Sequence, residues 1–385
     1  MDAFVPTPEQ DALLRADVSA LVTAGPGTGK TRTAIEKAIR VARELPSDSR
    51  QQVLFLSFSN AAVHRLSDAA RIHVPFKDRR RLKFVTYHAL AAEMLRMYGR
   101  FVGLPATMRI VDTLEETLLA LEGGWPADGE AGYAELARRA AKERGLVTFG
   151  TMVGLAVALL KGTPLLRSLL ARQYPLVIVD EFQDTSEEQW QLLQLVGDGS
   201  QVIAFGDPNQ VIYGSLHAAT ERRMEQFQEW KGVRITPFSA NNFRCGNAEI
   251  LTVADAMLTG RRYTEKDGSG VEFVDIEYRS RLRAALALIW KAIREQIGKN
   301  ETIAFLTPSN TLAEEVATGL RNPPVGATVR FPVHARIARD EAAHDAVLLA
   351  LVAIRDCVRV PEDRTIAKAA LALTAMELAW NSRRK

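Results

Sequence analysis

The stretch 18-VSALVTAGPGTGKTRTA-34 joins an apolar run to a Gly-rich turn and a Lys-Thr pair. The run reads as a short buried strand, and 31-TRTAIEKAIRVAREL-45 continues at helical spacing. Strand, Gly-rich turn and helix in that order are the setting a P-loop needs. Gly25, Gly27 and Gly29, with Pro26 and Thr28 between them, let successive backbone N–H groups face an anion, and the helix start adds its dipole. On this reading Lys30 reaches the β- and γ-phosphates of a nucleotide and Thr31 holds Mg2+. Ala24 stands where the pattern G-x-x-x-x-G-K-[ST] has its first Gly.

Further apolar, β-rich runs recur at 53-VLFLSF-58, 83-KFVT-86, 176-LVIVD-180, 201-QVIAFGD-207 and 233-VRITPF-238. Each is short, continuous and ended by polar residues or Gly, as buried strands are. Segments of helical spacing, such as 186-SEEQWQLLQLV-196, lie between them. The alternation predicts an α/β fold with a parallel sheet and helices on both faces. Residues 88–172 break the pattern: they are rich in Ala, Leu and Arg, show almost no strand signal, and read as a helical insertion. A second α/β unit is expected after about residue 245. Its strand candidates are 271-VEFVDIE-277, 302-TIAFLT-307 and 328-TVRFPV-333, with helices near 280–297, 310–320 and 340–357.

In 176-LVIVDEFQDTS-186 a strand delivers two adjacent carboxylates at its C-terminal end, where open α/β sheets bind ligands. Asp180 suits Mg2+, held partly through water. Glu181 is placed to orient or deprotonate a water, which favours hydrolysis over transfer to a bound acceptor. In 205-FGDPNQVIYG-214 the amide of Gln210 can hydrogen-bond a γ-phosphate or its water.

Composition sets outer bounds. The chain has 385 residues, 47% hydrophobic and 25% charged, enough for two or three domains. Its net charge of +3 excludes a polycation, so any nucleic-acid surface is local; 79-RRRLK-83 and 261-RR-262 read as solvated faces. Cys245 and Cys357 have neither metal spacing nor a disulfide framework, which implies a reducing compartment. The start MDAFVPTPEQ lacks the apolar core of a signal peptide, and no run approaches the ~18 apolar residues of a membrane span. A cytoplasmic location without membrane contact is the expectation. His64, His73, His217, His334 and His344 show no ligand spacing and are read as structural or surface residues. Trp190, Met94 and Met97 are read as core.

Together the motifs resemble those of the UvrD/Rep-type superfamily-one DNA helicases, a group related to the helicase-like subunit of Gabija-type anti-phage systems. The resemblance runs from about residue 5 to 357. It implies a RecA-like first lobe over 1–87 and 173–244, an inserted helical subdomain over 88–172, and an incomplete second RecA-like lobe over 245–385. Gln10, in Pro8-Glu9-Gln10, is implied to recognise adenine, and Arg32 to lie near the nucleotide. The segment 56-LSFSNAAV-63 resembles the motif whose Phe and Asn meet single-stranded DNA, here Phe58 and Asn60, with Ala61 where the family has Lys. The segment 86-TYHALA-91 implicates Thr86 and His88 in strand contact, and DEFQDTS matches the Asp-Glu-x-Gln-Asp signature. In 241-NNFRC-245, Phe243 falls where the family stacks an aromatic on adenine and Arg244 where it places a γ-phosphate arginine.

Two departures bear on function. In 213-YGSLHA-218 Ser215 replaces a base-stacking Trp, leaving Tyr213 and Phe58 to supply stacking. The family's later motifs have no counterpart in these residues, which implies either a truncated chain or a short protein whose turnover is impaired or completed by a partner. The leading reading is an ATP-dependent translocase or helicase that uses Mg2+ and acts on single-stranded DNA. The alternative is a nucleotide- and DNA-sensing regulatory subunit of a repair or anti-phage nuclease complex with weak ATPase. A P-loop kinase or GTPase is disfavoured by the Asp-Glu pair followed by Gln-Asp, and by the lack of an Asn-Lys-x-Asp motif.

Overall fold

The computed structural model describes residues 4–112, 115–116, 119–120, 129–207, 222–239 and 243, then 252–253, 256, 286, 289 and 310–321. The chain divides into two compact units, Met1–Arg261 and Arg262–Lys385.

Six strands of the first unit form one parallel sheet: β1 (Ala20–Thr23), β2 (Val53–Ser57), β3 (Leu82–Thr86), β6 (Leu176–Val179), β7 (Gln201–Gly206) and β8 (Ile235–Pro237). Their order is β3-β2-β6-β7-β1-β8. The central strands are apolar throughout because both faces are covered. Alternate residues go to opposite sides. Val53, Phe55, Leu176, Ile178, Ile203 and Phe205 pack with α2 (Lys30–Glu44) and α3 (Asn60–His73). Leu54, Leu56, Val177, Val179, Val202 and Ala204 pack with α5 (Tyr87–Tyr98), α7 (Phe149–Gly162) and α9 (Glu187–Gly197). This is the parallel α/β arrangement, with helices on both faces, that the alternation of strands and helices predicts.

Helix α1 (Pro8–Arg15) precedes β1 and opens on a capping box, in which Thr7 and Gln10 each satisfy the other's backbone N–H. Its last carbonyls are met from below by Lys37 of α2, which is 2% exposed and donates to Leu14 O and Ala16 O. Burial holds that ammonium's pKa below its ordinary value, although the positive end still suits a helix C-terminus. The effect is to fix α1 against α2 and so to fix Gln10 beside the loop that starts α2.

The segment after β3 is mainly helical, as expected: α5, α6 (Gly129–Arg144), α7 and α8 (Pro164–Gln173). It also holds a small parallel pair, β4 (Arg109–Ile110) with β5 (Leu146–Val147), which the sequence does not signal because two-residue strands carry no periodicity. Helix α7 is apolar almost all round and buries seven residues from Met152 to Leu160. Met94 is buried, but Met97 is 64% exposed and does not join the core, a correction to its reading. Trp190 is buried among Phe182, Phe227 and Trp230, as a core residue should be. Arg81, part of the basic run 79–83, is not a solvated charge: it donates to the carbonyls of Pro46, Ser47, Ser49 and Gln51.

The first unit also holds the short helices α4 (Phe76–Arg79) and α10 (Arg223–Lys231). In the second unit α11 (Asn310–Arg321) occupies the helix expected at 310–320; of the helix expected near 280–297 only residues 286 and 289 are described, both helical, and the other elements expected there lie outside the described residues. No single helix among the described residues is long and apolar enough to cross a membrane.

Candidate active site

Parallel strands direct their C-terminal ends to one edge, so the loops after β1 and β6 meet there with Asp207, the residue after β7. The loop after β1 is held at both ends. Ala24 N donates to Gly206 O at 3.1 Å, and Gly29, with φ +88°, is the N-cap of α2. Gly27 has φ +77°. These two positions need the left-handed region that favours glycine. Ala24 does not adopt a positive φ and is 5% exposed, which explains why the loop accepts a methyl group at the first position of the pattern.

A cavity of about 440 Å³ lies against this loop. Gly25, Pro26, Gly27, Gly29, Lys30, Thr31 and Arg32 line it on one side, with Asp180 and Glu181 from the end of β6, Arg65 and Leu66 from α3, and Phe243. Lys30 Nζ donates to Ala24 O at 2.6 Å and Gly25 O at 3.2 Å, which holds its charge over the cradle. Arg32 pairs with Glu36 at 2.8 Å. Thr28 closes the turn through its hydroxyl to Gly25 O at 2.8 Å. Gln10 is 1% exposed and its amide nitrogen donates to Thr28 O at 3.0 Å, so this residue secures the loop from α1. Phe243 N donates to Gly27 O at 2.8 Å while its ring stays 63% exposed beside Gly29.

The carboxylate end of β6 is shaped by a strained backbone. Glu181 has φ +51°, the only positive value at a non-Gly position among the described residues. For a side chain with a Cβ that costs on the order of 1–2 kcal/mol. Phe182, fully buried against Trp190 and Phe227, anchors the next residue. The Gln183 amide donates to Glu181 Oε2 at 3.0 Å and accepts from Asp207 N at 3.0 Å. Gln183 thus ties the turn after β6 to the start of the loop after β7. Sequence reasoning assigned neither Gln183 nor Arg65 a role; a buried amide between acids was a usable signal for the first, and nothing in the local pattern marked the second.

Asp180 and Thr31 bring a carboxylate and a hydroxyl to one cavity, hard oxygen donors that fit Mg2+ while leaving positions for water and phosphate. Among the described residues no group of three or more His, Cys, Asp or Glu comes together that could hold a metal ion. Burial, reinforced by the Glu181 carboxylate, raises the Asp180 pKa from 3.8 to about 6, against the pull of Lys30 and Arg65. The folded state therefore holds this proton more tightly than the unfolded chain. Stability is lost as pH rises from about 4 to about 6, and stays lost above. Asp180→Asn is expected to stabilise the protein by about 3 kcal/mol at pH 7.5 and by only about 0.5 kcal/mol at pH 4. Thermal melts of both proteins at the two pH values, without added metal, check this; equal gains at both would show that the charge is not the cause.

The residues implied in strand contact follow β2 and β3 at the same sheet edge. Phe58 is half-buried, and Asn60 is exposed at the first position of α3. Thr86 is buried and its hydroxyl caps α5 by accepting from Ala89 N at 3.1 Å. His88 stacks on Phe149 with ring centroids 3.7 Å apart, and burial lowers its pKa to about 4, so it is neutral near pH 7. Gln210, Tyr213 and Arg244 lie outside the described residues.

A glycine-rich anion cradle, a lysine over it and an acidic pair at the next strand end define a P-loop nucleotide-site protein. The family model described as "AAA domain" matches residues 10–216, more than half of the chain, and the chain belongs to that family. Among curated proteins it is similar to the ATP-dependent DNA helicase PcrA of Leuconostoc citreum (24% identical, over 65% of this chain and 38% of that protein). DNA helicase II of Haemophilus influenzae is 27% identical over 62% of this chain and 38% of its own, and the ATP-dependent DNA helicase Rep of Escherichia coli 21% over 66% and 44%. These relatives bear out the resemblance to the UvrD/Rep-type superfamily-one group. The chain spans less than half the length of each of them. A crystal structure of Pif1 helicase from Candida albicans overlaps at a TM-score of 0.37 with 14% identity, covering 82% of this chain and 61% of that one.

Proposed function

We propose that the chain is the ATP-hydrolysing part of a single-stranded DNA translocase or helicase of UvrD/Rep type. The observation that carries this is the single cavity shared by Lys30, Thr31, Asp180 and Glu181, built by the ends of β1 and β6. Lys30 and the loop N–H groups bind the phosphates; Thr31 and Asp180 hold Mg2+; Glu181 accepts the proton of the attacking water. Bound there, Mg2+ neutralises charge on the phosphates. Phe243 offers its exposed ring to the adenine, and Gln10, by holding Thr28, sets the height of the loop beneath it. Arg244 and Gln210, which lie outside the described residues, are assigned to the γ-phosphate side from the sequence alone. The lobe boundaries in this proposal are 1–87 with 173–244, then 88–172, then 245 onward.

The strand would cross the sheet edge at Phe58, Asn60, Thr86 and His88; Tyr213, outside the described residues, is added from the sequence alone. With His88 neutral, its part in that path is stacking or hydrogen bonding and not charge. Steady-state ATPase with and without single-stranded oligonucleotide tests the function, and stimulation by the strand is the expected result. Affinity for the strand should fall steeply with salt, because phosphate contacts release counterions. Phe58→Ala should weaken it by about 1–3 kcal/mol, the range of one lost stacking contact. A chain that binds nucleotide but no single strand at low salt would overturn the motor reading. Binding of both ligands with no turnover would favour the regulatory subunit instead.

A further inference from the structure

Arg65 lines the nucleotide cavity from α3, the helix that follows β2, and not from either motif that builds the site. The next residue, Leu66, is 2% exposed and packs into the core, so this turn of α3 is fixed. Arg65 itself is exposed, and among the described residues it makes no hydrogen bond or ion pair. Lys30 is engaged on the carbonyls of Ala24 and Gly25, and Arg32 pairs with Glu36 through one nitrogen while its buried Nη1 has no partner among the described residues. Asp180 feels the charge of Arg65, as it does that of Lys30, so the guanidinium acts on the same space from a second wall. A guanidinium whose donors meet no partner among the described residues, beside an anion cradle, matches the fork of phosphate oxygens.

We propose that Arg65 is a nucleotide-binding residue, a cationic arm from α3 that donates to the phosphates held by the P-loop. The proposal rests on the nucleotide reading of the cavity and adds to it a contact outside the motifs. Residues on α3 that precede it, Asn60 at the helix start and Ser59 at its cap, adjoin Phe58, so the arm springs from the element that begins at the implied strand contacts.

The test is titration of a slowly hydrolysed ATP analogue with Mg2+ into the full chain and its Arg65→Ala, Arg65→Glu, Arg65→Lys and Lys30→Ala variants. Arg65→Ala is expected to bind about tenfold more weakly, the loss of one charge-assisted contact. Arg65→Glu should bind more weakly still, and Arg65→Lys should fall between the wild type and Arg65→Ala. All Arg65 variants should keep the wild-type melt, since the side chain supports nothing in the fold. Wild-type affinity in both Arg65→Ala and Arg65→Glu, with binding lost in Lys30→Ala, would overturn this inference alone. Weakened binding that appears only with a lowered melt would overturn it too. Absence of binding by the wild type would overturn the nucleotide reading, and this inference with it.

Discussion

Glu181→Gln is expected to bind ATP and Mg2+ as the wild type does and to hydrolyse it about a hundredfold more slowly or worse. The argument starts from the backbone. A carboxylate at φ +51° stays there only because Phe182 is buried behind it and Gln183 holds one of its oxygens. Glutamine has the same length and keeps the shape of the turn. What it cannot do is take a proton from water. Asp180 remains for the metal, and Lys30 with the loop N–H groups remains for the phosphates, so the ground-state complex survives. The substitution therefore separates binding from chemistry. Analogue titration reads the first and phosphate release the second. Wild-type turnover in the variant would remove Glu181 from the reaction.

Much of this arrangement was legible from the chain because the informative elements are local. Buried strands such as 176–179 and 201–206 announce themselves as unbroken apolar runs, and the turn at 24–31 is recognisable from Gly placement alone. The order of the strands was not legible. Strand β1 pairs with β7, some 180 residues later, and with β8, and only the packed sheet decides which distant runs become neighbours. The same limit explains the two residues that local reading missed. Gln183 matters because Asp207 N comes within 3.0 Å of it from another strand end, and Arg65 because α3 crosses the cavity wall. The reading of Met97 failed for a related reason: a helix-period pattern gives an apolar face, but the partner that covers it is set by the rest of the fold.

Lys30→Ala is expected to lower nucleotide affinity by more than about a hundredfold, which corresponds to about 3 kcal/mol from charge-assisted hydrogen bonds lost at the phosphates. The position of the ammonium supports that size. It is held over the cradle by the carbonyls of Ala24 and Gly25, at the point where the loop N–H groups and the start of α2 already favour an anion. Removing it leaves the dipole and the N–H groups but no full charge to set against a triphosphate. The fold should barely notice. Lys30 is the first residue of α2, where Ala is a good helix former, and the two freed carbonyls border the cavity, where water can reach them. A melt within roughly 4 °C of the wild type is therefore expected, the shift of about 1 kcal/mol in a unit of this size. Affinity and melt together make the test selective. Loss of both would point to a collapsed loop, and retained affinity would mean that the phosphates, if they bind, do so without this lysine.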